Sequence, residues 1–219
     1  TADPEALAAA IGSHVDLLFI ETPMNPTLRL VDIALAARLT HAAGGVLDDI
    51  LVYCESPEDF YLIVNAANID SDFRVFSAAA PAGVTLTDQS SRTACIAVQG
   101  PKAETALEKL FGFSLKNLPY YAFKQEIFSG VPVWVSRSGY TGEDGFEIFS
   151  SNELAVNIWR ELLSEAKTLG ILPAGLGARN TLRLEAGNLL CGLDMDATTT
   201  PLEARLGFAA SFEKAGGFT

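Results

Sequence analysis

The sequence predicts an α+β fold with antiparallel sheets and flanking helices, preceded over residues 1–43 by a short α/β segment. Three observations carry that reading. Short apolar runs bounded by turn residues recur from Ile50 onward, which is strand-and-turn patterning. Longer stretches with apolar residues at helical spacing separate them. Two apolar strands, at 131–135 and 146–149, are joined by a glycine-rich segment.

In chain order, Asp3-Pro4-Glu5-Ala6-Leu7 has the composition of a capped helix start, and apolar residues continue to Ile11. Residues 16–20 form a short apolar run that suits a buried strand, and a proline-punctuated polar loop follows from Glu21 to Thr27. Helical periodicity returns at 31–41. Helix, strand, loop and helix in that order are what an open α/β sheet uses, with ligands near the strand C-termini. Beyond the Gly44-Gly45 pair, strands are predicted at 50–52 and 60–64 around a Ser-Pro-Glu-Asp turn, and a helix at 71–80. A strand at 93–98 leads through Gln99-Gly100-Pro101 into a helix at 102–110. A further helix at 152–170 carries Trp159, Leu162 and Leu163. No internal repeat or low-complexity segment interrupts this order.

The run from Val135 to Gly187 is the hardest to explain as packing alone. Ser136-Arg137-Ser138-Gly139-Tyr140-Thr141-Gly142-Glu143-Asp144-Gly145 separates two strands, yet a simple hairpin needs only two to five residues. Glycine there permits positive φ and lets a ligand approach the backbone closely. Farther on, Gly175 and Gly177 are expected in a loop that opens a helix containing Arg179 and Arg183. Four apart, these arginines share a face if the segment is helical, and arginine grips carboxylates at two points.

Composition sets bounds. In a chain of 219 residues, 49 % hydrophobic content supports a folded core, as one large domain or two small ones. A net charge of −12 without a basic cluster argues against nucleic acid or anionic membrane as partners. Cys54, Cys95 and Cys191 are scattered, and His14 and His41 are far apart, so neither a disulfide nor a metal site is expected and a reducing compartment is. Nothing resembles a membrane span or a signal peptide, and the expected location is cytoplasmic.

The run GYTGEDGFE, followed by PAGLGARNTLRLEAG, resembles the aminomethyltransferase (T-protein) of the glycine cleavage system, and so does GGVLDDILVY from Gly44 to Tyr53. The resemblance covers residues 44–219, with several motifs in family order. It implies the family's folate-binding fold, without its N-terminal part and C-terminal barrel, and hence an activity impaired by truncation. It implies tetrahydrofolate as substrate, no metal, and the lipoylated H-protein as partner. The reaction would move a one-carbon unit from the aminomethyl-lipoyl arm to tetrahydrofolate and release ammonia. The opening differs. FIETPMNPTLRLVDI resembles PLP-dependent enzymes of Cys/Met metabolism, whose asparagine at the position of Asn25 lies beside the pyridoxal ring. That family's later aspartate and lysine do not follow, so PLP chemistry is not expected. The chain reads as a chimera joined near Gly44.

Five residues are candidates by this resemblance, each with a plainer reading beside it. The catalytic aspartate matches Asp49, with Asp48 the alternative; an arbitrary acidic pair before a strand is usually a solvated turn. Strand alternation places Asp48 with Ile50 and Val52, and Asp49 with Leu51 and Tyr53. Asn65 matches a pterin contact, and its plain reading is a strand-end cap. Glu147 and Tyr140 match folate-binding positions, against a rim ion pair and ordinary packing. Arg179 matches the arginine that meets the folate, against a surface ion pair with Glu185 or Glu147. Arg183 reads as structural. The chain departs from the family at Asn180, Asn188 and Cys191, where Asp, a larger apolar or aromatic residue, and Tyr are usual. Cys191 has no basic neighbour in sequence to activate it as a nucleophile. Two other functions compete: a non-catalytic folate-binding or scaffold relative, and a fragment of a PLP-dependent sulfur amino-acid enzyme.

Overall fold

The computed structural model describes residues 45–209. The predicted helices near Asp3 and at 31–41, the strand at 16–20 and the loop holding Asn25 lie outside the described residues. The described chain divides into two units, one holding residues 45–88 and 189–209, the other Gln89–Asn188.

In the first unit, β1 (Leu51–Cys54) and β2 (Phe60–Ile63) pair antiparallel, with Leu51 opposite Ile63 and Cys54 opposite Phe60. The turn between them is held by Ser56, whose Oγ donates to Asp59 Oδ2 at 2.9 Å and accepts from the Asp59 amide at 3.1 Å. This local side-chain bonding is the usual reason Ser and Asp favour turns. Helix α1 (Ile69–Ala79) follows, and its Phe76 packs with Leu62 and Val64 on the buried Ile50 and Val52. A second small core joins Val46, Met195 and Ala204 across more than 140 residues of sequence. There the Val46 amide donates to the Asp196 and Thr199 carbonyls, each at 3.0 Å. Gly45 has a steric cause: a Cβ on it would stand 1.9 Å from the Ala197 carbonyl oxygen. Only glycine fits so close to another backbone.

The second unit is a four-stranded antiparallel sheet in the order β3-β6-β5-β4: β3 (Thr93–Gln99), β4 (Phe123–Phe128), β5 (Val131–Ser136) and β6 (Gly145–Ser151). Helix α2 (Ala103–Phe111) follows β3, α3 (Asn152–Leu169) follows β6, and α4 (Leu176–Glu185) comes last. Alternation sorts the sheet. Val98, Val133, Val135, Phe146 and Ile148 face a core completed by Leu107 and Phe111 of α2 and by Leu154, Ile158 and Leu162 of α3. Glu147, Ser136, Gln99 and Trp134 belong to the opposite parity; Ser136 stands opposite Glu147, and Trp134 opposite Phe149. Of the apolar residues expected on α3, Leu162 is buried, while Trp159 and Leu163 are exposed.

Two predicted details need correction. Gly177 lies inside α4, and Gly175 is its N-cap, so the helix begins at Leu176, two residues earlier than the glycines suggest. Strand β4 was not expected at all. Its sequence, Phe-Lys-Gln-Glu-Ile-Phe, has polar residues at its centre because it forms the edge of the sheet, where only one side must pair. A two-residue turn ties it to β5: Ser129 (φ 51°) and Gly130 (φ 79°) both have positive φ, the geometry that matches strand twist in a tight hairpin.

Candidate functional site

In the first unit the two acidic residues have different surroundings. Asp48 is 5 % exposed, whereas Asp49 is half-buried. The Asp48 carboxylate accepts three N–H bonds: from the Asp49 amide at 2.9 Å, the Asn65 amide at 3.0 Å and Asn65 Nδ2 at 2.6 Å. Buried negative charge needs such donors to offset lost hydration. The same Asn65 Nδ2 lies 3.1 Å from Asp49 Oδ1 and 3.2 Å from its carbonyl oxygen. Asn65, just past β2, thus pins both carboxylates to the second strand. Its link to the two aspartates is a contact that the sequence reading did not anticipate.

Three more residues complete this cluster. Asn68, the N-cap of α1, turns its side chain away from its own helix; Nδ2 lies 3.5 Å from both the Leu47 carbonyl and Cys191 Sγ. The Cys191 thiol donates to the Leu47 carbonyl at 3.4 Å. Burial, then the charge of Asp48, pushes that thiol up to about 11, so at neutral pH it is no nucleophile. Asp72, in the first turn of α1, is as buried as Asp48, and its Oδ2 accepts no hydrogen bond. Ligand atoms of Asp48, Asp49 and Cys191 fall within 4.8 Å of one another, a spacing a cation could use. The Asp48 oxygens and Asp49 Oδ1 are already engaged by N–H donors, and the thiol keeps its proton, so the group reads as a hydrogen-bonded array.

In the second unit, Glu147 sits on β6 facing away from the core. Ser138 Oγ donates to its Oε2 at 2.5 Å and lies 2.9 Å from the buried Ser136 Oγ. Burial raises the Glu147 carboxyl above its usual range; the Ser138 bond and the Arg179 charge act against that rise. Arg179 places its guanidinium 4.3 Å from the centre of the Tyr140 ring, a cation–π contact. Arg179 thus stacks on Tyr140 while its charge acts on Glu147, which links the three residues in one group. Arg183 is different: only 2 % exposed, it donates from Nε to Asn180 Oδ1 at 2.9 Å and from Nη1 to the Asn188 carbonyl at 3.1 Å. Although four residues apart on one helix, the two arginines have separate tasks.

The glycine-rich turn is shaped by the protein itself. Gln99 Nε2 donates to the Ser138 and Phe146 carbonyls at 3.0 and 3.1 Å, and its Oε1 accepts from Thr141 Oγ1 at 3.2 Å. A Cβ on Gly139 would stand 1.9 Å from that Oε1, and one on Gly145 at 2.4 Å. The glycines admit a pinned glutamine side chain, where the sequence suggested an approaching ligand. The two-point arginine grip also falls elsewhere: Arg137 binds Asp144 through Nε at 2.8 Å and Nη2 at 2.6 Å, closing the turn.

A family model described as "GCVT N-terminal domain" matches residues 32–214. The chain belongs to this family. The matched span takes in residues 32–43, ahead of the Gly44-Gly45 pair. An aminomethyltransferase of Caldanaerobacter subterraneus is 47 % identical over 173 residues, covering 78 % of this chain and 46 % of that protein. One from Halothermothrix orenii is 42 % identical over 172 residues, 78 % of this chain and 48 % of its own length. Among solved structures, the glycine cleavage system aminomethyltransferase T from Bartonella henselae superposes with a TM-score of 0.67 at 32 % identity, over 77 % of this chain and 44 % of that one. The chain therefore spans about half the length of the curated relatives it matches. No described helix of this GCVT domain is long and apolar enough to cross a membrane, and its three cysteines are free.

Sequence reasoning missed several residues of this GCVT domain's clusters: Asn68, Asp72, Gln99 and Ser138. Asp72 offered the least signal, because an acid in a helix's first turn is ordinarily a solvated partner of the helix dipole. Ser138 had a better one, since it lies in the same turn as Tyr140 and nine residues before its partner.

Proposed function

We propose that this chain carries out tetrahydrofolate-dependent aminomethyl transfer in glycine cleavage. It would take the aminomethyl group from the lipoyl arm of H-protein, release ammonia, and pass the one-carbon unit to tetrahydrofolate to give methylenetetrahydrofolate. The observation that carries this reading is the different fate of the two aspartates. Asp48 is spent on three N–H donors, while Asp49 is half-buried and held in place through Asn65.

As ammonia leaves, the transferred carbon acquires positive character. A fixed carboxylate at Asp49 stabilises that charge and orients the attacking folate nitrogen, and it needs no reorganisation at the moment of reaction. Asn65 is assigned to the folate ring as well as to the aspartates. In the second unit, the resemblance assigns Glu147 to folate N–H groups, the kind of donor that a buried carboxylate requires. Tyr140 and Arg179 are assigned to hold the folate through the stacked face and the cationic edge. The family membership and the aminomethyltransferase relatives support this assignment of activity.

Calorimetry with tetrahydrofolate on the wild-type chain, Asp49→Asn and Arg179→Ala tests it. Arg179→Ala is expected to weaken binding about tenfold, the loss of one charge-assisted contact. Asp49→Asn is expected to alter the heat while abolishing transfer. Equal heats from all three proteins would remove the assigned site.

A further inference from the structure

We propose that Asp72, in the first turn of α1, is a positioning residue: it keeps its proton and donates it to Asp48, and so fixes the array that holds Asp49. The inference rests on the catalytic role proposed for Asp49, but the proton's location can be tested separately.

The two carboxyl groups are in hydrogen-bond contact, and both residues are 5 % exposed. Two carboxylates cannot bond to each other, because each offers only acceptors. One shared proton turns repulsion into a bond, as in other buried acid pairs. The surroundings decide which residue carries it. Asp48 receives three N–H bonds, which stabilise its anion. Asp72 Oδ2 receives no donor, so as an ionised oxygen it would be a buried orphan. As an O–H aimed at Asp48 it is satisfied, and so is Asp48. Burial, the hydrogen bond with Asp48 and the charge of Asp48, in that order, push the Asp72 carboxyl up to about 8.

Other charged groups do not reverse this. Asp49 and Cys191 adjoin Asp48, one an acid and the other a thiol that stays protonated. Asp70 and Arg74, on α1 itself, are exposed. The result is a relay of positions: Asp72 donates to Asp48, Asp48 accepts from Asn65, and the same Asn65 amide reaches Asp49. Losing the Asp72 proton would place a second buried negative charge against Asp48 and loosen every later member. Because the folded-state value lies above the unfolded one, the stabilisation is complete in acid and disappears as pH rises through about 8.

The experiment combines carbon-detected NMR titration of the aspartate carboxyls with tetrahydrofolate calorimetry, on the wild-type chain, Asp72→Asn and Asp72→Leu. One aspartate carboxyl is expected to stay protonated through neutral pH, and its signal should vanish in Asp72→Asn. The amide of Asp72→Asn still donates at that position, so its folate affinity should stay within about twofold of wild type and lose the alkaline decline. Asp72→Leu should lose about tenfold or more, the worth of one hydrogen bond to a charged group. The proposal is overturned if every aspartate is ionised by about pH 6, or if Asp72→Asn weakens folate as much as Asp72→Leu. Should Asp72→Leu not fold, the titration of wild type and Asp72→Asn still decides. If wild type itself shows no folate heat, the proposed function fails while the titration still locates the proton.

Discussion

Replacing Asn65 by Ala removes one amide that serves three oxygens. Its two hydrogens supply a 2.6 Å bond to Asp48 Oδ1 and a shared contact with Asp49 at 3.1 and 3.2 Å. A hydrogen bond to a charged group contributes about 1.5–3 kcal/mol. Asp48 is buried and cannot recruit water, so its bond belongs near the top of that range. Asp49 is half-buried and can recover part of its loss from solvent, so its contact belongs near or below the bottom. The sum is roughly 3–4 kcal/mol, less if Asp48 keeps much from the two backbone amides that remain. Urea unfolding followed by circular dichroism should show a midpoint lowered by about 1–2 M with unchanged slope. Asn68→Ala is the control, because its contacts of 3.5 Å are at the limit of a hydrogen bond and should cost under about 1 kcal/mol. If Asn65→Ala shifted stability no more than Asn68→Ala, the carboxylates would not depend on that amide and the positional relay would be wrong.

Two other outcomes follow from the same geometry. Gly45→Ala should destabilise the first unit by about 3 kcal/mol or more, since its Cβ would collide with rigid backbone at Ala197, and faster limited proteolysis near that segment would register it. Glu147→Gln should be more stable than wild type near neutral pH, with the gap closing in acid. The raised Glu147 value means that wild-type stability falls as pH rises from the unfolded carboxylate range through the folded one, and a neutral amide removes that dependence. A gap that instead widens in acid would show that Arg179 and Ser138 outweigh the burial.

Local pattern made much of the fold readable. Strand β3 and helices α2 and α3 fall within a residue or two of their predicted limits, because apolar periodicity reports which face of an element meets a core. Where an element's pairing carries no apolar signature, that signal fails. Edge strand β4 has a polar middle, and the positive-φ pair Ser129-Gly130 was its better marker. Gly177 shows the opposite error, since glycine discourages a helix locally but packing keeps it in α4.

The sequence by itself determined most of the element types and the acidic character, because these depend on residue identity and short spacing, and it carried the motifs whose resemblance points to a one-carbon transferase. Only the tertiary structure decided that Asp48 is buried while Asp49 is half-buried, that one asparagine binds both, and that Asp72 meets Asp48. It also decided that the glycines of the long turn make room for Gln99, and that Arg179 stacks while Arg183 is buried. The physical reason is that hydration and proximity set a carboxyl's proton and a side chain's partner. Both arise between residues such as Asp48 and Asn65, or Leu47 and Cys191, that lie 17 and 144 positions apart and meet only when the chain has folded.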